Sequence, residues 1–473
     1  MTQAQETSSI KSDAINLEGK WKALAVISLI QFILLLDATI VNVALPQIKE
    51  GLNLTDGSLT WVVTAYAISA GALLLFGGKL GDAYGIGRIF ILGTVIFGVF
   101  SFVATVAPSA EWLIIGRSGQ GIGEALAAAT GLAMVSLLFP SGEDRAKAFG
   151  IWAALGGIGA IAGVILSGII TETLNWRWIF GINVPLISIL VVAAFLTIPV
   201  FPTSKKVRLD FGNAMLIAVG VVLMVQGLVG TSIESEHGLR FGLAAVGLIF
   251  GALVFYRCRK VEDGIIPARL LKPSPRFTGY LAVIILAATS GALFFLGVLH
   301  LQGGLGLSQM MTGLAWLPFC FGFFPGIFLS QFLSQKFSPK TAACSGLIIS
   351  ASGFGLFAWG VTTDSYWLGM LPAMLVTSIG FGCTAPVAQS IATVGLSEED
   401  AGAGSGLTST IQQLSQVFGI TVFVALALSI GNGISVGTAG LVFSFSIAML
   451  LMLLGGVVVW RAKGADLLVS GSS

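Results

Sequence analysis

The sequence predicts an all-α, polytopic membrane protein, and three observations predict it. Of its 473 residues, 55% are hydrophobic and only 10% are charged, against about 25% charged in soluble proteins. Its apolar residues gather into continuous runs of the roughly 20 residues that cross a bilayer as a helix, without the alternation of a membrane strand. Its basic residues favour alternate loops, as in a chain that threads a membrane repeatedly. The net charge of +2 gives no reason to expect a nucleic-acid partner.

Taken in order, residues 1–20 are polar, with Glu6, Asp13 and Glu18 among the bases, and are expected to be a disordered cytoplasmic amino terminus. The apolar run that follows is too long for a signal peptide. Fourteen runs are long enough to span, at about 21–45, 59–80, 89–107, 112–138, 147–171, 179–200, 213–232, 240–257, 278–302, 311–333, 341–361, 367–394, 404–430 and 438–461. With that count, twenty of the 24 Lys and Arg residues fall on the side of the termini. Only Lys49, Arg177 and Arg240 fall opposite, and Arg117 lies within a span. The positive-inside rule then makes both termini cytoplasmic.

Two basic loops, about 201–212 and 258–277, flank spans seven and eight. The expected organisation is therefore a six-helix bundle over 21–200, a two-helix linker over 201–277, a second six-helix bundle over 278–461 and a cytoplasmic tail over 462–473. The two bundles echo each other weakly. Gly121-Ile122-Gly123-Glu124-Ala125 corresponds to Gly380-Phe381-Gly382-Cys383-Thr384, and Glu143-Asp144 with Gly150 to Glu399-Asp400 with Gly406. Leu80-Gly81-Asp82-Ala83-Tyr84 has a faint counterpart in Leu333-Ser334-Gln335-Lys336-Phe337. Duplicated six-helix halves with a site between them are a transporter architecture.

The chemistry lies in the few charges that the bilayer encloses. Of the 22 carboxylates, only Asp37 and Glu124 fall inside apolar runs, where an ionised Asp costs about 2.5–3.5 kcal/mol on insertion scales. Asp37 sits about 12 Å below the outer end of span one, and Arg117 begins about 8 Å below the same face in span four, at 1.5 Å per residue. Glu124, seven residues past Arg117, shares its helix face about 10 Å deeper. The four cysteines, Cys258, Cys320, Cys344 and Cys383, have no CxxC spacing and read as small apolar residues. No phosphate-binding G-x-x-x-x-G-K-[ST] loop occurs. Neither an enzyme nor a metal protein is expected, and no cofactor beyond a coupling proton.

From about residue 21 to 430 the motifs resemble the major facilitator superfamily, specifically its fourteen-span drug:proton antiporters. Asp37-Ala38-Thr39-Ile40-Val41-Asn42-Val43-Ala44-Leu45-Pro46 is similar to the first-helix signature. Gly78 to Arg88, including Asp82 and Gly85, resembles the loop between helices two and three, with Ala83, Ile86 and Gly87 where bases are usual. Arg117 to Gly123 resembles the fourth-helix motif, with Glu124 where a small residue is usual. Gly159, Gly163 and Gly168 occupy the glycine positions of the antiporter motif, with Val164 and Ser167 replacing a Pro and a Gly. Trp176-Arg177-Trp178-Ile179-Phe180-Gly181-Ile182-Asn183-Val184-Pro185 is close to a fourteen-span signature, and Leu209 to Gly212 and Gln302 to Pro318 are further landmarks.

The resemblance implies a major facilitator fold with two extra helices between the bundles, in which helices one and four adjoin and Asp37 can pair with Arg117. It implies proton coupling through Asp37, Arg117 and Glu124, both carboxylates facing the cavity of the first half. The expected substrate residues are Asn42, Gln120 and Glu124 in that half and Phe294, Gln302, Trp316, Phe319, Gln412 and Gln413 in the other. Gly159, Gly163 and Gly168 are expected to form a seam on which the halves rock, and Asp82, Gly85 and Arg88 to gate the cytoplasmic end. The implied activity is export of lipophilic, cationic drugs in exchange for protons by a monomer in a bacterial inner membrane. An exporter of one endogenous metabolite, siderophore or lipid-like molecule is the alternative. A non-transporting sensor is disfavoured, because the loops leave no room for a signalling domain.

Overall fold

The computed structural model describes residues 17–139, 142–199, 201, 211–229, 237–260, 276–394, 398–430 and 436–461. Residues 17–20, expected to be disordered, already belong to the first helix. Residues 1–16 and the tail 462–473 lie outside the described residues. Every regular element among the described residues is helical. The first half comprises α1 (Leu17–Gly51), α2 (Asp56–Tyr84), α3 (Ile86–Thr105), α4 (Ala110–Leu138), α5 (Gly142–Thr173), α6 (Trp178–Gly181) and α7 (Asn183–Thr197). Next come α8 (Phe211–Val229) and α9 (His237–Lys260). The second half begins with α10 (Arg276–Leu299), a π-helical turn at His300–Gly304, α11 (Gln309–Ala315) and α12 (Leu317–Lys336). It continues through α13 (Pro339–Gly360), a π-helical turn at Tyr366–Met370, α14 (Leu371–Ala392), α15 (Glu398–Ser429) and α16 (Thr438–Arg461).

Among the described residues, twelve helical stretches are long and apolar enough to cross a membrane. The two other expected spans are α8 and α9, whose apolar cores, Gly212–Leu228 and Gly242–Val254, are shorter. Proline chemistry explains where helices break. Pro185 has no N–H to give Gly181, and its ring crowds that carbonyl, so the sixth span divides at Ile182. Pro318 divides the tenth in the same way at Trp316. Pro46, by contrast, is absorbed inside α1, which runs on past the predicted end to Gly51.

Side chains such as Ile189, Phe195, Leu196, Phe328 and Trp367 remain exposed on the outer surface, as lipid-facing residues should. Within the first half α1 packs on α5 and α7, and α4 on α2 and α3. Within the second, α14 packs on α12 and α13, and α10 on α15. The halves meet along α2 with α15 and along α5 with α11. The linker helix α8 lies against the first of these seams, where Val221 and Val225 cluster with Ala67, Ile68 and Val417.

The polar bonds between the halves lie at two levels. At the end opposite the start of α1, called here the far end, Gln302 donates to the Val43 carbonyl at 2.8 Å. There Glu172 also accepts from the Met310 N–H at 3.3 Å. Deeper in, Gln413 reaches Glu124. Gly150 and Gly157, nearer the start of α5, border open space.

The glycine seam differs from expectation. A Cβ on Gly159 would run into the Phe32 backbone, and one on Gly163 would lie 2.5 Å from the Leu36 carbonyl. Both therefore seal α5 against α1 inside the first half, where Thr39 also donates to the Ala160 carbonyl at 3.1 Å. Only Gly168 touches the second half, at Met310, and Gly313 answers it against the Val164 carbonyl. Overpacking a helix contact costs about 1–3 kcal/mol, whereas a methyl at an exposed helical glycine adds about 1 kcal/mol of helix propensity. Gly163→Val should therefore lower the thermal unfolding temperature in detergent, and Gly157→Ala should leave it unchanged or raise it. Equal melting of the two variants would contradict this packing.

Candidate functional site

Spacing along α4 puts Arg117, Gln120 and Glu124 on one helix face, since three and four residues each make about one turn. Asp37 from α1 meets that face directly. Arg117 Nη1 donates to Asp37 Oδ2 at 2.6 Å. Gln120 Nε2 donates to Asp37 Oδ1 at 3.1 Å, and Asn183 Nδ2, from the first residue of α7, donates to the same oxygen at 2.6 Å. Asp37, Gln120 and Asn183 are completely buried and Arg117 nearly so. The guanidinium is held on its other edges as well. Arg117 Nε donates to the Val62 carbonyl at 3.0 Å, Nη1 also reaches Gln120 Oε1 at 2.8 Å, and the Tyr66 ring lies 4.1 Å from the guanidinium carbon. Gln120 closes the network by donating to Ser101 Oγ at 2.8 Å.

This cage meets the physical requirement of a buried charge. A carboxylate away from water must be paired and fully hydrogen-bonded; here α4 and α7 supply its partners, and α2 and α3 hold Arg117 and Gln120 in turn. The expectation that both carboxylates face a cavity holds poorly for Asp37, which is enclosed. Gln120, expected to orient a ligand, has both ends of its amide committed to the cage. Asn42 is half-buried and donates to the Ala38 carbonyl of its own helix at 3.2 Å.

Glu124 is different. It remains 8% exposed, and its Oε1 accepts from Gln413 Nε2 of the second half at 3.1 Å. The Tyr66 hydroxyl neighbours it, yet Tyr66 Oη and Glu124 Oε2 are each buried without a bond of acceptable geometry. Glu124 thus has one oxygen held across the halves and one uncommitted. Through Tyr66, whose ring lies over Arg117, it stands next to the Asp37 cage.

The remaining predicted substrate residues scatter. Phe294 packs 4.7 Å from Trp316 and 5.1 Å from Phe319, centroid to centroid. Trp316 and Phe319 are buried in the second half's aromatic core, which continues through Phe381 and Phe354. Gln302 serves the far-end contact, because the π-helical turn at His300–Gly304 aims it at Val43. Gln412 is exposed and accepts from Gln389 at 3.2 Å, beside but apart from Gln413. A far-end cavity of about 650 Å³, bordered by Trp61, Glu111 and Gln226, contains none of the predicted residues.

At the other end, Gly85 makes the turn between α2 and α3 with φ 104°, a conformation that suits glycine, and donates to the Gly81 carbonyl at 2.9 Å. Asp82 and Arg88 flank it and are exposed. Among the described residues no hydrogen bond carries Asp82 to the second half. Besides Glu124, the acid that reaches across is Glu172, which sequence reasoning placed with the loop acids. Asn183 and Tyr66 were also missed. Their signals were an amide inside the Trp176–Pro185 motif and the one tyrosine within the apolar run 59–80.

Comparison with known proteins gives consistent relatives. The model of the Major Facilitator Superfamily matches residues 27–420. The chain is 30% identical over 471 residues to a puromycin resistance protein of Streptomyces alboniger, covering 94% of this chain and 93% of that one. It is 33% identical over 415 residues to a cephamycin export protein of Amycolatopsis lactamdurans, covering 85% and 84% respectively. In structure it is similar to a point mutant of the nucleoside transporter NupG, with a TM-score of 0.65 at 15% identity, over 94% of this chain and 100% of that one.

The cage generates a stability prediction. Breaking a buried ion pair by removing one partner costs about 3–5 kcal/mol, because the other charge is left uncompensated. Arg117→Gln should lower unfolding stability in detergent by that order, and adding Asp37→Asn to it should restore part of the loss. A double variant no more stable than Arg117→Gln alone would show that the buried charge is not the cause.

Proposed function

This chain belongs to the Major Facilitator Superfamily, and from that premise we propose that it exports lipophilic, cationic small molecules in exchange for protons by alternating access. The single observation that carries the reading is Glu124, an almost buried carboxylate between two transporter halves, with one oxygen uncommitted and the other held by Gln413 of the opposite half. Intramembrane ionisable groups mark substrate and proton pathways. The relatives named for puromycin resistance and cephamycin export support a small-molecule exporter.

In the proposed cycle Asp37 and Glu124 take up protons when the site opens to the far end. A lipophilic cation entering from the basic end then competes with them. One proton crossing 100 mV releases about 2.3 kcal/mol, which sustains about a 50-fold gradient of a neutral solute at 1:1 exchange. The bonds from Gln302 to Val43 and from Met310 to Glu172 close the far end, which suits the phase in which the site faces the basic end. On this reading α8 and α9 complete fourteen spans and brace one seam. The basic end is cytoplasmic, the membrane is a bacterial inner membrane, and a monomer suffices without a cofactor. The 21–200, 201–277 and 278–461 division then separates the two moving bundles from their linker. Gly168 and Gly313 mark the point on which they pivot.

Export of one endogenous metabolite is the second reading, favoured by the relative named for cephamycin export. Efflux assays over a panel of cations distinguish the two, since a narrow profile supports the metabolite. In proteoliposomes carrying an internal pH dye, Asp37→Asn should abolish substrate-dependent proton movement; undiminished movement would sink the coupling role of Asp37. Glu124→Gln should reduce transport of cationic substrates about tenfold, the effect of about 1.4 kcal/mol, while neutral ones stay within about twofold. Equal loss of both would remove Glu124 as the cation site.

A further inference from the structure

We propose that Asn183 is the positioning residue for the proton on Asp37: its side-chain amide donates to the carboxylate and turns over to accept from the carboxylic acid. The inference rests on the proton-coupled reading above and adds to it the residue that makes protonation of an enclosed site affordable.

A carboxylate only accepts hydrogen bonds, whereas a carboxylic acid also donates one. Asp37 is surrounded by donors alone: Arg117 Nη1, Gln120 Nε2 and Asn183 Nδ2. A proton added there needs an acceptor, and an unsatisfied buried donor costs about 1–3 kcal/mol. Arg117 has no acceptor to offer. Gln120 has one, but Oε1 is bonded to Arg117 and its amide nitrogen to Ser101, so inverting it would break both contacts. Asn183 Oδ1 is buried with no hydrogen-bond partner among the described residues. Rotating that amide by half a turn therefore breaks no bond but its own to Asp37, and it sets Oδ1 against the new O–H.

The step is proton binding only: the carboxylate gains one proton, and the Asp37–Arg117 pair goes from neutral to singly positive. The guanidinium then keeps the Val62 carbonyl, Gln120 Oε1 and the Tyr66 ring. The titratable and charged groups facing Asp37 are Arg117, Tyr66 and Glu124.

The test is pH-difference infrared spectroscopy on the full chain in proteoliposomes, with isotope-labelled asparagine. Acidification of the wild type should raise a carboxyl C=O band that Asp37→Asn abolishes. An asparagine amide C=O band should shift with the same midpoint, and that shift should vanish in Asn183→Leu and in Asp37→Asn. Substrate-driven proton movement should fall about tenfold in Asn183→Leu, the equivalent of about one hydrogen bond. It should persist within about twofold in Asn183→Ser, whose hydroxyl both donates and accepts. A carboxyl band without the amide shift, or Asn183→Leu coupling like the wild type, would overturn the inference alone. A wild type lacking any Asp37-dependent carboxyl band would overturn the proton reading and the inference together. If Asn183→Leu fails to fold, the wild-type bands decide the question.

Discussion

The ion pair between Asp37 and Arg117 is the interaction on which the first half depends. Two opposite charges taken out of water have no alternative partners in lipid, so each of their hydrogen-bonding positions must be met by protein. Meeting them draws together α1, α2, α3, α4 and the start of α7, through Val62, Tyr66, Ser101, Gln120 and Asn183. Buried pairs contribute little net stability against apolar replacements. What this one supplies is geometry: it sets the rotation of α4, and that rotation delivers Glu124 to the interface with the second half.

The two halves are built on different terms. Inside the first, Gly159 and Gly163 let α5 close on α1 so tightly that backbone meets backbone. Inside the second, an aromatic core from Phe294 to Phe445 fills the space between helices. Between the halves the polar contacts described are a few hydrogen bonds: one from Gln302 to Val43, two to Glu172 from Met310 and Ser308, and one from Gln413 to Glu124. A neutral bond of this kind contributes about 1 kcal/mol and one to an ionised carboxylate about 1.5–3 kcal/mol, within what a competing ligand can replace. Apolar packing along α2 with α15 and α5 with α11 supplies the rest of the contact between the halves.

The far-end contact and the mid-level contact are chemically unlike. Glu172 receives the Met310 N–H at the start of α11 and, at 3.5 Å, the Ser308 hydroxyl, while Gln302 gives to a backbone carbonyl, so the far-end contact is met largely by backbone. Gln413 and Glu124 recognise each other as side chains, and in the proposed cycle a substrate cation competes for the same oxygen. The link most open to competition therefore sits where the ligand would bind.

Apolar run length, the bias of basic residues and the scarcity of embedded charge determined the class of this protein from sequence alone. They also singled out Asp37, Arg117 and Glu124, because a charge in lipid is too costly to be incidental. Tertiary structure decided everything that turns on which helix faces which. It showed Gln120 locked into the cage, Trp316 and Phe319 packed in a core, and Gly159 and Gly163 turned inward from the seam. It also brought in Asn183, Tyr66 and Glu172. A helical period tells which residues share a face, but not which neighbour that face meets. The energy of a polar group in a membrane is set by the partner found there.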